Sequence, residues 1–150
     1  MPDNSKVLVV MPGEGQALDI GSSLTVKVPS HSAGNAYTVL EFVLQPGGGA
    51  PLHIHQREDE IMYILEGECT FGFAGQIYKA PAGSTIALPK GLPHLFRNEG
   101  QDLCRLLITA VPGGLDEYFS EIGTALAQNR PELIPEINLR YEIDFNPPIH

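Results

Sequence analysis

Residues 47–67 read GGGAPLHIHQREDEIMYILEG, a pattern typical of two short strands joined by a loop. His53 and His55 stand two apart in the first extended segment, so both side chains point to the same face. Glu60 begins the second, apolar segment. Residues 83–98 read GSTIALPKGLPHLFRN and place His94 at the start of another strand, after a proline-glycine turn. If these strands are antiparallel neighbours, the four side chains meet inside one β structure.

Three imidazoles and one carboxylate form a donor set that suits a divalent transition metal. The set leaves a net charge of about +1 on the ion and about two open coordination positions. Structural zinc sites are closed and rich in cysteine, so an open site of this kind indicates reactivity. We therefore predict one divalent transition metal, which is Fe, Mn, Ni, Cu, Co or Zn. His31 and His150 lack such neighbours and are assigned no role.

Many short apolar or alternating segments surround these two stretches. The 16 glycines and 13 prolines are spread along the chain and separate the segments, as in an all-β domain. Strands are predicted at 6–11, 24–28, 36–45, 52–55, 60–65, 70–73, 76–78, 85–88, 94–98 and 103–111. Their number and spacing favour a sandwich or a closed barrel over about 6–111.

The pattern changes after the turn at 112–114. Apolar side chains recur at helical spacing and predict one amphipathic helix over 115–128, packed on the barrel. The residues that carry this spacing are Leu115, Tyr118, Phe119, Ile122 and Leu126. The proline-containing tail, 131–150, is predicted to be an extended arm along the body or along a partner subunit.

Composition narrows the class of protein. A chain of 150 residues is expected to form a single domain, 1–150. The 18 acidic and 9 basic residues give a charge of −9, which disfavours nucleic acid and anionic membranes as partners. No apolar run is long enough to span a membrane, and the first residues lack the pattern of a signal peptide, so we expect a cytoplasmic protein. Cys69 and Cys104 are expected to be buried thiols.

The two stretches resemble the two sequence motifs of the cupin superfamily. The first motif matches at Gly47, His53, His55, Glu60 and Gly67, and the second at Gly83, Pro89, Gly91, His94 and Asn98. The resemblance implies an all-β, double-stranded β-helix (jelly-roll) barrel with one C-terminal amphipathic helix. It also implies that His53, His55, Glu60 and His94 are the metal ligands and that Asn98 is structural. The helix after the last strand is similar to one in quercetin-dioxygenase-like bacterial cupins.

The residues next to the predicted ligands bear on the choice of the acidic ligand and on the lining of the pocket. The family spacing also allows Asp59 as the acidic ligand, but Glu60 has the right gap to Gly67 and continues into the strand. Glu58 and Asp59 are otherwise predicted to lie in a solvated loop. Alternation places Met62 and Ile64 on the face of Glu60, and Phe96 on that of His94, so these three are predicted to line an apolar pocket. Such a pocket favours an aromatic or apolar small molecule that offers oxygen atoms to the metal.

Three hypotheses about function follow. The first is a metal-dependent, quercetinase-like dioxygenase, an oxidoreductase in which Glu60 is the catalytic base and the substrate is aromatic or enolisable. The second is a metal-dependent isomerase, lyase or decarboxylase that uses the ion as a Lewis acid. The third is a non-catalytic module that binds a small molecule. Resemblance to small cupins also implies a homodimer.

Overall fold

The computed structural model describes residues 7–145, which form two antiparallel sheets facing each other. Strands are numbered in chain order. The strands of the larger sheet are β1 (Gln16–Asp19), β2 (Ser23–Val28), β3 (Thr38–Leu44), β5 (Asp59–Glu66), β8 (Thr85–Leu88) and β10 (Cys104–Val111). Those of the smaller sheet are β4 (Gly49–His55), β6 (Glu68–Phe73), β7 (Gln76–Pro81), β9 (His94–Arg97) and β11 (Ile143–Asp144). The larger sheet has the order β1-β2-β3-β10-β5-β8 and the smaller one the order β11-β4-β9-β6-β7.

The prediction of a mostly β chain is confirmed, and a jelly roll fits the arrangement, but the barrel is not closed. Within residues 7–145, no strand pair joins an edge of the larger sheet to an edge of the smaller one. The two sheets instead enclose a core between their inner faces. Strand β5 shows how the sequence builds it, because Met62 and Ile64 are fully buried whereas Ile61 and Tyr63 are 47% and 44% exposed.

The N-terminal strand predicted at 6–11 is wrong over its described part. Residues 7–11 are not in a strand, and Val7 and Val9 are 88% and 68% exposed. A short apolar run without alternation does not specify a partner, and the edge of the larger sheet is formed by β1 instead. Lys6 lies outside the described residues.

Helix α1 (Leu115–Ala127) ends one residue before its predicted boundary and packs against β1 and β3 of the larger sheet. A buried hydrogen-bond network fixes its first turn. The Asp116 carboxylate accepts hydrogen bonds from the backbone N–H of Ser30, at 2.9 Å, and from the Ser30 hydroxyl. The Ser30 Oγ in turn accepts the backbone N–H of Gly114, at 2.7 Å. This network ties the helix to the short 3-10 turn Ser30–Ala33 beside the larger sheet.

The predicted extended arm at 131–150 is wrong over its described part. A 3-10 turn, Pro131–Leu133, leads into a second helix, α2 (Ile134–Arg140), and the chain then adds β11 to the edge of the smaller sheet. Pro131 and Pro135 lie in the first turns, where a missing N–H costs nothing, so they start these helices rather than prevent them. Residues 146–150 lie outside the described part of the chain.

The structure also bears on the two cysteines and on the predicted absence of a membrane span. Cys69 and Cys104 are buried, free thiols, as predicted. Between residues 7 and 145 neither helix has the length and apolar character needed to cross a lipid bilayer.

Candidate metal centre

The four residues singled out by the motifs come from both sheets. His53 and His55 lie on β4 and His94 on β9 of the smaller sheet, with His53 directly opposite His94 in the register. Glu60 lies on β5 of the larger sheet. All four side chains are buried, each with no more than 5% of its residue surface exposed. The alternation of the strands therefore aims them into the space between the sheets.

The structure brings the four side chains together. One ligand atom from each lies within 4.8 Å of all the others. His53 Nε2 and His55 Nε2 are 3.1 Å apart, and Glu60 Oε1 lies 3.3 Å from both His55 Nε2 and His94 Nε2. Two imidazole nitrogens at such a distance need either a proton or a cation between them. The group can hold a metal ion.

The outer nitrogens of two histidines set the direction of their lone pairs. His53 Nδ1 lies 2.7 Å from the carbonyl oxygen of Pro51, and His94 Nδ1 lies 3.0 Å from that of Leu92. Because a carbonyl oxygen only accepts hydrogen bonds, each Nδ1 carries the proton and each Nε2 offers a lone pair to the centre. Within residues 7–145, His94 Nε2 and Glu60 Oε1 have no hydrogen-bond partner. Buried acceptors that converge without donors fit a bound cation.

The charges of the side chains support the same interpretation. Burial, followed by the neighbouring His55 and His94, lowers the pKa of His53 to about 3, so this ring is neutral. Burial favours the neutral acid at Glu60, but His55 and then His94 hold its pKa below the usual value. For His55, burial is outweighed by Glu60 and Glu58, and its pKa is raised. The ionised Glu60 carboxylate, close to the neutral ring of His53, attracts a cation.

The two acids before Glu60 differ from each other. Asp59 is exposed, and its Oδ1 accepts the backbone N–H of Lys90 at 2.9 Å, so it is not part of the four-residue group. Glu58 is only 1% exposed and its Oε2 lies 3.5 Å from His55 Nδ1, so the prediction of a solvated loop is wrong for it. Glu58 continues the alternation of Glu60, Met62 and Ile64, and extending that pattern backwards along the sequence would have revealed it.

A cavity of about 330 Å³ opens beside the four-residue group and is mostly apolar. Phe96 lines it, as predicted from parity. Met62 and Ile64 are not among its lining residues, because they lie further along β5 and are packed into the core. Side chains that the sequence analysis did not assign to a pocket also line it. They include Phe42, Leu44, Ile108, Tyr118, Phe119, Ile122, Ile134, Asn138, Ile143 and Phe145.

The C-terminal segment covers part of this cavity. The Phe145 ring stacks on His53, with centroids 5.2 Å apart and planes at 21°. Across the cavity wall, the Tyr118 hydroxyl donates a hydrogen bond to Asn138 Oδ1 at 2.6 Å. Helix α2 thus supplies a polar group, Asn138, within an apolar wall, and the residue after β11 supplies an aromatic ring beside His53.

Known proteins with similar sequences also indicate a cupin domain in this chain. A family model described as a cupin domain matches residues 40–110. The HTH-type transcriptional regulator PuuR of Escherichia coli is 28% identical over 113 residues, and quercetin 2,3-dioxygenase of Bacillus subtilis is 25% identical over 124. These alignments cover 74% and 82% of this chain, but only 60% and 36% of the relatives.

Solved structures share the fold. KdgF from a Halomonas species superposes with a TM-score of 0.65 at 16% identity, over 75% of this chain and 99% of that one. At this identity the similarity concerns the fold alone.

Proposed function

The chain belongs to the cupin superfamily as a small member, and from that premise we propose that it is a metal-dependent dioxygenase acting on a small aromatic or enolisable compound. The observation that supports this most is the convergence of three imidazoles and one carboxylate, with unpartnered acceptor atoms, beside an apolar cavity that His53, His55 and Glu60 line. The similarity to quercetin 2,3-dioxygenase of Bacillus subtilis adds support for the reaction class.

His53, His55, Glu60 and His94 would hold the ion, whose chemistry is the activation of dioxygen and of an oxygen-bearing substrate. The protein residues then have separate tasks. The apolar cavity excludes water and receives a ring, with Phe96 and Phe145 as flat contact surfaces. Its volume of about 330 Å³ lies at the lower end for small-molecule sites, which favours a compact substrate.

Glu60 is the proposed catalytic base. Its Oε1 has no hydrogen-bond partner within the described chain, and its pKa lies below the usual value because of His55 and then His94. It is therefore ionised at neutral pH and able to accept a proton from an enolisable carbon or a phenolic oxygen. The buried histidines keep this carboxylate oriented towards the centre of the group.

Metal content provides the first test. Protein purified without added metal is expected to contain close to one equivalent of a transition metal. His94→Ala removes one ligand and one of the two imidazole nitrogens that lie 3.3 Å from Glu60 Oε1, so we expect its metal content to fall at least about tenfold. His31→Ala, which changes an exposed histidine outside the group, is the control and should retain the metal. A substoichiometric content of every transition metal in the parent protein would contradict the proposal.

Oxygen uptake tests the reaction. Protein loaded in turn with Fe, Mn, Ni, Cu or Co is mixed with a flavonol or a diketone in an oxygen electrode. Uptake that depends on protein and substrate, and that is lost in His94→Ala, is the expected result. Product formation without oxygen would instead indicate the isomerase, lyase or decarboxylase alternative.

A non-catalytic binding module is the second candidate. It is favoured by the 28% identity to PuuR, a transcriptional regulator, over 74% of this chain. Tight binding of a small molecule that is recovered chemically unchanged from the metal-loaded protein would favour this candidate over an enzyme.

A further inference from the structure

Glu58 is a buried carboxylate that the proposed reaction does not use. Its side chain is fully shielded from solvent, and apart from His55 neither carboxylate oxygen has a polar partner within residues 7–145. Burying a charge without compensation is costly, so such a side chain indicates a nearby positive group. The basic side chain recorded beside it is His55, whose Nδ1 lies 3.5 Å from Oε2.

His55 stands between Glu58 and the centre of the four-residue group. Its Nδ1 edge faces Glu58, whereas its Nε2 lies 3.1 Å from His53 Nε2 and 3.3 Å from Glu60 Oε1. A carboxylate on one edge of the ring and a metal on the other form the arrangement in which an outer carboxylate fixes an imidazole ligand. His53 and His94 use the carbonyl oxygens of Pro51 and Leu92 for the same purpose.

We propose that Glu58 is a positioning residue for the metal centre: it accepts the Nδ1 proton of His55 and so directs the Nε2 lone pair at the ion. The proposal rests on the proposed metal centre. It also accounts for the presence of a second buried carboxylate, Glu58, beside the four-residue group. A divalent ion with neutral imidazoles and the Glu60 carboxylate carries about +1, and the Glu58 carboxylate brings the buried set to about zero. A bound divalent ion would thus balance the negative charges of the Glu58 and Glu60 carboxylates.

This role predicts that loss of the Glu58 charge weakens metal binding and leaves the metal-free fold nearly unchanged. Glu58→Gln keeps the shape of the side chain but removes the charge. The affinity for Co²⁺, measured by competition with a chromophoric chelator, is expected to fall about 10–100-fold. The urea midpoint of the metal-free protein is expected to stay close to that of the parent protein, because the glutamine side chain fills the same space beside His55. Glu58→Asp keeps the charge but withdraws it by one methylene, and should give an intermediate loss of affinity.

Asp59→Asn is the matched control. It neutralises the next carboxylate along the chain, which is exposed and can still accept the Lys90 N–H as an amide. Its Co²⁺ affinity should equal that of the parent protein. A parallel fall of affinity and metal-free midpoint in Glu58→Gln would mean a purely structural role and would overturn the proposal.

The outcomes separate this inference from the function on which it rests. If the parent protein binds Co²⁺ and Glu58→Gln binds it within about twofold, only the role of Glu58 is refuted. If the parent protein binds no Co²⁺ at all, the proposed metal centre is refuted together with it. The two positive results, tight binding by the parent and weaker binding by the variant, support both.

Discussion

Asn98 is a motif residue whose role is fixed by its hydrogen bonds. It is only 1% exposed. Its Nδ2 donates to the carbonyl oxygens of Leu44 and Asp102, at 2.9 and 2.8 Å, and its Oδ1 accepts the backbone N–H of Gly100 at 3.0 Å. The side chain therefore joins the end of β3 to the turn after β9. These contacts agree with the structural role that the sequence resemblance implied.

Asn98→Ala removes three hydrogen bonds from a buried position. Because the freed backbone groups are only partly reached by water, we expect the free energy of unfolding to fall by about 2–3 kcal/mol, measured by urea denaturation. Gln101→Ala, an exposed amide in the same turn, serves as the control and should change stability by less than about 0.5 kcal/mol. A similar change in the two variants would mean that the Asn98 contacts contribute little.

At the scale of single residues, the sequence was informative where side chains follow strand periodicity. The spacing of His53 and His55 and the positions of Glu60 and His94 were enough to predict that they converge. The burial of Glu58 was not predicted because it precedes the strand in a polar run, although it continues the alternation of Glu60 and Met62. Its contact with His55 depends on how β4 and β5 pack. Phe145 was not predicted either, since nothing in the sequence specifies which ring reaches His53.

The pairing of β4 with β9 depends on a close backbone contact at Gly49. This residue has φ of 148°, and a Cβ atom there would lie 2.1 Å from the carbonyl oxygen of Phe96. Without a side chain, β4 can approach β9 closely enough for His53 to face His94 in the register. The close contact between β4 and β9 at Gly49 thus contributes directly to the geometry of the candidate metal centre.

Gly49→Ala should separate these two strands. We expect the free energy of unfolding to fall by at least about 2 kcal/mol and the metal content of the folded protein to decrease, as measured by urea denaturation and elemental analysis. The control is Gly75→Ala in the β6–β7 hairpin, which also has a positive φ, 73°, but open space around the added methyl group. Equal losses in the two variants would attribute the effect to backbone conformation rather than to the contact.

The elements that differ from the sequence-based prediction lie near the ends of the chain. Strand β1 was not predicted, since a four-residue edge strand carries too little periodic signal. Helix α2 was hidden by Pro131 and Pro135, which were interpreted as breaks although proline is tolerated in a first turn. The central strands were predicted well because glycine and proline turns bound them on both sides.

The whole molecule leaves an apolar surface on the outer face of the larger sheet. Ile61, Tyr63 and Leu65 on β5 are 47%, 44% and 38% exposed, and Val111 at the end of β10 is 42% exposed. Contiguous exposed apolar side chains on a sheet are typical of an interface. We expect this face to meet its equivalent in a second copy of the chain, which would give a symmetric homodimer.

Ile61→Glu should shift this dimer towards monomer, because two like charges would be buried near the symmetry axis. Light scattering coupled to size-exclusion chromatography measures the mass, which is expected to change from twice to once 16.2 kDa. Ile77→Glu places the same charge on the smaller sheet, at a position that is 64% exposed, and should leave the dimer intact. A monomeric parent protein, or a dimer unaffected by Ile61→Glu, would contradict this interface.

The position of Phe145 has a practical consequence for handling the protein. A polyhistidine tag fused after His150 would begin six residues beyond Phe145, whose ring lies on His53. Tethered at so short a distance, its imidazoles would reach a high local concentration at the cavity and compete for the same ions. Purification with a tag that does not bind metal would keep measured stoichiometries free of this artefact.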